Sequence, residues 1–352
     1  MSEDANLTCV KVGQEVVQMV EGPIPEPADG EIIVRTTLTT ICGSDLHILD
    51  ESPLNPAMVP DHMRGLPMGH EAVGVVHRIG AGVRRLAVGQ RVISSCFTAC
   101  GWCTQCLEGQ LSACTGGGGL LFGCQSRYYR VPYADISAAP IPDELSDEQV
   151  LFATDIMSTG LGAVERGRVG FGDTVAIFGQ GPVGLCATAA ARARGAGLII
   201  AVEGVPERAA MARRLGASRV VAPGEDTVQT LLQLTDGGGV DVAIEAVGVQ
   251  VTLDMATRVV RRGGTVSSVG IYGGLAGITL PSGVPSFYHR NVVFTLCPVG
   301  HDRLKRLMRL VQHGAFDLMP LITHRMTLAE APSAYELFRA RESGTLKIGL
   351  TP

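Results

Sequence analysis

The chain has 352 residues, enough for two domains that each bury a core. Its net charge is -5 and its 29 Lys and Arg are thinly spread, so it offers no basic stripe for a nucleic-acid backbone. No stretch reaches about 18 uninterrupted apolar residues and the first thirty residues lack a basic start with an apolar run, which argues against a membrane span or secretory leader and for a cytoplasmic protein.

Up to residue 154 short alternating runs broken by Gly and Pro, such as Glu31 to Leu38 and Ala72 to Ile79, predict a compact β-rich unit. Two cysteine patterns lie within it. Cys42, His70 and Glu71 form a sparse, mixed donor set of the kind that leaves a metal one open position for chemistry. Cys100, Cys103, Cys106 and Cys114 fall within fifteen residues, a lobe at about 96–115 that can close around a tetrahedral structural zinc. The other five cysteines, Cys9, Cys96, Cys124, Cys186 and Cys297, are scattered singly, which fits reduced thiols better than disulfides.

From 155 to 294 the rhythm becomes buried strand, glycine turn and long helix. Apolar strands at Thr174 to Phe178, Leu198 to Val202, Val240 to Val247 and Thr265 to Val269 alternate with helices, predicting a doubly wound parallel sheet. Gly179, Gly181 and Gly184 follow the first of these strands and open a helix through Pro182 and Val183, the context in which backbone N–H groups receive a pyrophosphate. Glu203 ends the next strand, where a carboxylate accepts hydrogen bonds from the adenosine ribose hydroxyls; this favours NAD over NADP, with Arg208 as the feature that keeps NADP open. The segment 295–352 holds a helix near Arg303 to Gln312 and a short final run, Leu346 to Leu350, expected to join the first domain's sheet.

Thr40 to His47, Gly69-His70-Glu71, the four-cysteine lobe, Ala153 to Gly160 and Gly179 to Gly184 occur in an order that resembles the zinc-dependent medium-chain alcohol dehydrogenases over essentially the whole chain. The resemblance implies a GroES-like catalytic domain (1–154, completed by 295–352) and a Rossmann domain (155–294). It also implies two Zn²⁺ per chain. Cys42 and His70 resemble catalytic-zinc ligands, Asp155 resembles the third ligand in the branch that uses Asp, and Glu71 resembles the carboxylate that ligates or sits just behind the metal. From the residues alone a helix N-cap is the rival reading of Asp155, which precedes Ile-Met-Ser-Thr, and Asp45 either orients a neighbour or caps the helix that follows it.

The same resemblance assigns Ser44 to the substrate oxygen and His47 to the proton exit, in an oxidation that proceeds through an alkoxide held on zinc with hydride passing to the nicotinamide. It places Thr159, Val247, Val269, Ile271, Leu296 and Cys297 beside the nicotinamide and Lys347 at the pyrophosphate, and it suggests a homotetramer or homodimer. Between Cys42 and His70 lie 27 residues, a loop with Pro53, Pro56, Pro60, Pro67, Met58, His62 and Met63 that suits a wall of the substrate cleft or a subunit contact. Cys96 stands where some relatives carry a bulky aromatic, which suggests room for secondary or cyclic alcohols. The expected substrate is a small alcohol, ketone or aldehyde. Formaldehyde-dehydrogenase-like aldehyde oxidation or dismutation and polyol dehydrogenation are the enzymatic alternatives, and a non-catalytic zinc and dinucleotide binder is the alternative of another class.

Overall fold

The computed structural model describes residues 5–50, 65–272, 277–280, 289–340 and 344–352. Most of the Cys42–His70 loop, including Pro53, Pro56, Met58, Pro60, His62 and Met63, lies outside them. The chain divides into two compact units: Met1–Ser158 with Cys297–Pro352, and Thr159–Leu296. Asp155 therefore stands in the first unit, a few residues before the division, where the sequence rhythm assigned it to the second.

The first unit is built on a seven-stranded sheet with strand Ile32–Thr40 at its centre. That strand pairs antiparallel with Ala72–Ile79 on one side and with the final strand, Lys347–Thr351, on the other, with Gly349 opposite Thr40. The expected return of the tail is thus a real strand pairing. Its driving force is apolar: Ile348 and Leu350 are fully buried with Ile41, Leu46, Leu49, Met68 and Tyr335, each such side chain contributing about 1.5–3 kcal/mol relative to exposure. A three-stranded sheet, with Asn6–Gly13 in the middle, completes the unit's strands.

The second unit holds a six-stranded sheet that is parallel throughout. Its spatial order is Arg219–Val221, Leu198–Val202, Thr174–Phe178, Val240–Glu245, Val260–Ser268, Asn291–Phe294. The order reverses at Thr174–Phe178, the topological switch point at whose carboxyl end dinucleotide ligands bind in such sheets. The central strands Thr174–Phe178 and Leu198–Val202 are almost wholly apolar, as strands buried on both faces of a parallel sheet are; Ala176, Phe178, Ile200, Ala243 and Val266 are buried in one core. The edge strand Asn291–Phe294, partly exposed along its length, is not read from the sequence, because a run as short as Val292-Val293-Phe294 is not by itself a strand signal.

Candidate active site

Cys42 is the N-cap of helix Gly43–Leu49. Asp45, at the third helical position, accepts the Cys42 backbone N–H at 2.9 Å, so the residue that caps the helix also fixes the thiol at its entrance. His70 follows Gly69, whose positive φ of 85° and close approach to Gln125 exclude a side chain. Asp155 lies between the turn Leu151–Thr154 and helix Ile156–Arg166. These three segments bring Cys42 Sγ, His70 Nε2 and an Asp155 oxygen within 4.8 Å of one another. Asp155 Oδ2 is 3.7 Å from Cys42 Sγ and 3.4 Å from His70 Nε2.

Around this trio the electrostatics favour a cation. His70 is wholly buried, which opposes a charge on it, yet Asp45, Asp155 and Cys42 outweigh burial and lift the imidazole well above the usual histidine range. A thiol, an imidazole and a carboxylate gathered around one point fit zinc in both ligand type and number. Asp45 Oδ1 sits 3.1 Å from His70 Nδ1, close but out of line for a hydrogen bond. A carboxylate so placed fixes the orientation of the imidazole ring, as it would for a ring that binds a metal.

Ser44 and His47 lie one turn apart on helix Gly43–Leu49. Ser44 Oγ is 3.2 Å from His70 Nε2, in contact with the ligand set, and His47 is half-buried. Glu71 does not join the three-donor group. Lys347 is fully buried and donates to Glu71 Oε2, while Glu71 Oε1 has no hydrogen-bond partner. Burial lowers the Lys347 ammonium, but Cys42, Glu71 and Asp155 more than offset this and raise it, so it stays charged. The expectation that Lys347 reaches a pyrophosphate is corrected here: a strand residue whose ammonium is enclosed beside a carboxylate neutralises that carboxylate.

The four-cysteine lobe is assembled as expected. Cys100, Cys103, Cys106 and Cys114 have their sulfurs within 4.8 Å of one another, with Cys100 and Cys106 at 3.9 Å and Cys103 and Cys114 at 3.9 Å. Backbone N–H groups point at the sulfurs: Cys103 N–H donates to Cys100 Sγ at 3.4 Å and Cys100 N–H to Cys114 Sγ at 3.3 Å. Hydrogen bonds from the chain at Cys106 and Thr115 bring the Cys103 thiol down to about 5, whereas burial pushes the Cys106 thiol up to about 12.

In the second unit Gly181 caps helix Pro182–Ala193, with Pro182 at its first position. Gly179 has φ of 82°, and a Cβ at Gly184 would run into the Gly179 carbonyl oxygen, so these two glycines are required by the turn itself. Val183, half-buried, follows Pro182 on the first turn. Glu203 Oε2 accepts the Gln180 N–H at 2.8 Å, and Oε1 accepts the N–H groups of Gly204 and Val205, each at 2.8 Å. The carboxylate is thereby fixed against the glycine turn. Arg208, half-buried, lies on the next helix, Pro206–Leu215.

Among the expected nicotinamide neighbours, Val247, Ile271 and Leu296 present exposed apolar side chains, whereas Thr159, Val269 and Cys297 are buried. Cys297 belongs to the first unit, its thiol donating to the carbonyl oxygens of Asp155 and Pro298. Its side chain is therefore held beside Asp155 and is not presented as an open wall.

Residues 28–143 match the family described as alcohol dehydrogenase GroES-like domain and residues 182–313 that of zinc-binding dehydrogenase. An alcohol dehydrogenase of Cupriavidus necator is 38% identical over 96% of both chains. The chain belongs to the zinc-dependent medium-chain alcohol dehydrogenases. The NADP-dependent isopropanol dehydrogenase of Thermoanaerobacter brockii is 33% identical over 91% of this chain and 90% of its own. The solved structure of the alcohol dehydrogenase TADH from Thermus sp. ATN1 superimposes with a TM-score of 0.88 at 32% identity, covering 98% of this chain and 99% of that one.

This alcohol dehydrogenase is accordingly an oxidoreductase acting on CH–OH groups, a zinc enzyme that uses a nicotinamide cofactor and small-molecule substrates. No helix among its described residues is long and apolar enough to cross a membrane. Two supports of its site escaped sequence reading. Tyr335 Oη donates to Gln125 Oε1 at 2.8 Å, and Gln125 Nε2 donates to Asp45 Oδ2 at 3.2 Å, so a tail residue steadies the carboxylate behind His70. Glu245, fully buried, accepts from Val247 and Gly248 N–H at 2.9 Å each, from Thr252 Oγ1 at 2.7 Å, from Ser268 Oγ at 3.0 Å and from Tyr272 Oη at 2.7 Å. An acid that ends an apolar strand is the one signal that marked Glu245, shared with Glu203.

Proposed function

We propose that this dehydrogenase oxidises a secondary or bulky alcohol reversibly with NAD. The observation that carries the cofactor reading is Glu203, whose carboxylate is fixed at the glycine turn, where it suits the two ribose hydroxyls and repels a 2'-phosphate. Cys42, His70 and Asp155 would hold the catalytic zinc, and the four-cysteine lobe the structural one. When bound, the catalytic ion supplies Lewis-acid polarisation of the alcohol oxygen.

The chain's own residues supply the rest. Ser44 Oγ, anchored at the ligand set, accepts a hydrogen bond from the substrate hydroxyl and takes its proton onward; His47, one turn along the same helix, accepts that proton toward solvent. Gly179, Gly181, Pro182, Val183 and Gly184 seat the pyrophosphate at the helix N-terminus, and the exposed Val247, Ile271 and Leu296 offer apolar surface to the nicotinamide ring. The small Cys96 side chain, beside Asp155, supports a bulky substrate.

A homodimer or homotetramer is supported by the edge strand Asn291–Phe294, which among the described strands pairs on one side only and exposes Phe294. Cytoplasmic residence is supported by ten cysteines, none of them in a disulfide.

Steady-state turnover of linear, cyclic and aromatic ketones and aldehydes with NADH and with NADPH tests the reading. Higher kcat/KM for ketones with NADH supports it. A preference for NADPH, as in the isopropanol dehydrogenase relative, or for aldehydes overturns the corresponding half.

A further inference from the structure

The two carboxylate oxygens of Asp155 face different partners. Oδ2 addresses Cys42 and His70, at 3.7 and 3.4 Å. Oδ1 addresses Cys96 Sγ, at 3.5 Å. Cys297 completes a second group, with the Cys96, Asp155 and Cys297 donor atoms all within 4.8 Å of one another. That is the limit within which the catalytic trio and the four-cysteine lobe also fall.

Both thiols are enclosed, Cys96 at 1% and Cys297 at 4% exposure, and they cluster with Val299 beside Phe97 and Leu111. Their protons are spent on weak contacts: Cys96 on Asp155 Oδ1, and Cys297 on the Asp155 and Pro298 carbonyls at 3.5 Å each. Neither thiol takes part in the proposed proton transfer, and the bulky-substrate reading uses only the small size of Cys96. Two sulfurs and a carboxylate oxygen make a donor set that selects soft or borderline cations such as zinc and cadmium over magnesium or calcium.

We propose that Cys96 Sγ, Cys297 Sγ and Asp155 Oδ1 form a further site for a thiophilic divalent cation, with Asp155 shared between this site and the catalytic zinc. On binding, each thiol releases its proton to solvent as its sulfur–metal bond forms, Asp155 Oδ1 supplies the third bond, and no group is oxidised or reduced. A fourth position is left for water. An ion seated there draws on the same carboxylate that serves the catalytic ion.

The test uses the full-length, zinc-loaded enzyme, kept reduced by a phosphine and dialysed against cadmium ion, with bound zinc and cadmium both counted. The wild type is expected to hold one cadmium per chain in addition to its two zinc ions and to show near-ultraviolet thiolate-to-cadmium absorbance. Cys96→Ala and Cys297→Ala are expected to retain both zinc ions, which also reports that they are folded, and to lose the cadmium and its absorbance. Where an alanine variant fails to retain zinc, serine at that position takes its place. Cys186→Ala, a buried thiol outside the cluster, should behave as wild type. A wild-type total of two ions, with cadmium only replacing zinc, overturns the proposal, as does a third ion that survives both cluster variants. Because the readout is metal content, failure here is separable from failure of the NAD-linked alcohol reading, which is decided by turnover.

Discussion

Asp45 and His70 form a buried carboxylate–imidazole contact of 3.1 Å, and the carboxylate's other oxygen is held by the Cys42 N–H and Gln125. One aspartate therefore positions two of the proposed zinc ligands, Cys42 through the backbone and His70 through its ring. Asp45→Asn keeps the cap's shape and removes the charge. It is expected to weaken catalytic-zinc affinity or kcat/KM by about 10–100-fold, the usual effect of losing such an outer partner, while the four-cysteine lobe keeps its ion. Chelator competition with metal analysis checks it.

Cys103→Ser should cost the chain its structural zinc and leave the catalytic one. Cys103 and Cys114 are only half-buried, so sulfur–metal bonds are expected to add to the packing of Leu111, Tyr133 and Ile136 against the lobe. A fall in Tm of roughly 5 °C or more is expected, measured by thermal unfolding alongside the zinc count. An unchanged Tm with one zinc lost would show that the lobe holds itself together.

Glu203→Gln keeps one acceptor oxygen, enough for Gly204 and Val205, gives up the acceptor for Gln180, and removes the charge that opposes a 2'-phosphate. The ratio of kcat/KM with NAD to that with NADP is expected to fall about tenfold, equivalent to about 1.4 kcal/mol. A ratio that does not move would place cofactor choice elsewhere, with Arg208 the next residue to replace.

Lys347→Met leaves Glu71 buried without its ammonium. A loss of about 3–5 kcal/mol is expected from an uncompensated buried charge. The double variant Glu71→Gln with Lys347→Met removes both charges and is expected to recover much of that loss, the non-additivity that marks a coupled pair. Urea unfolding of the two single variants and the double variant measures it.

Local chemistry was enough to announce several of these features from the chain. The Gly179-x-Gly181-x-x-Gly184 turn and the closely spaced Cys100, Cys103, Cys106 and Cys114 are short-range devices, so residue spacing alone constrains their geometry. The β-rich first unit and the parallel second sheet followed from the change in apolar rhythm near residue 155, because burial on one or both sheet faces writes itself into the pattern.

Contacts between distant segments were decided only by the tertiary structure. Nothing near Lys347 in the sequence shows that it faces Glu71, 276 positions away, and an exposed and an enclosed lysine look alike in a chain. The same holds for Tyr335 reaching Gln125 and for Cys96 and Cys297 meeting at Asp155. A side chain's type declares what it can bond to, but its partner is set when apolar burial closes the sheet around it, and that closure depends on the whole fold and not on spacing along the chain.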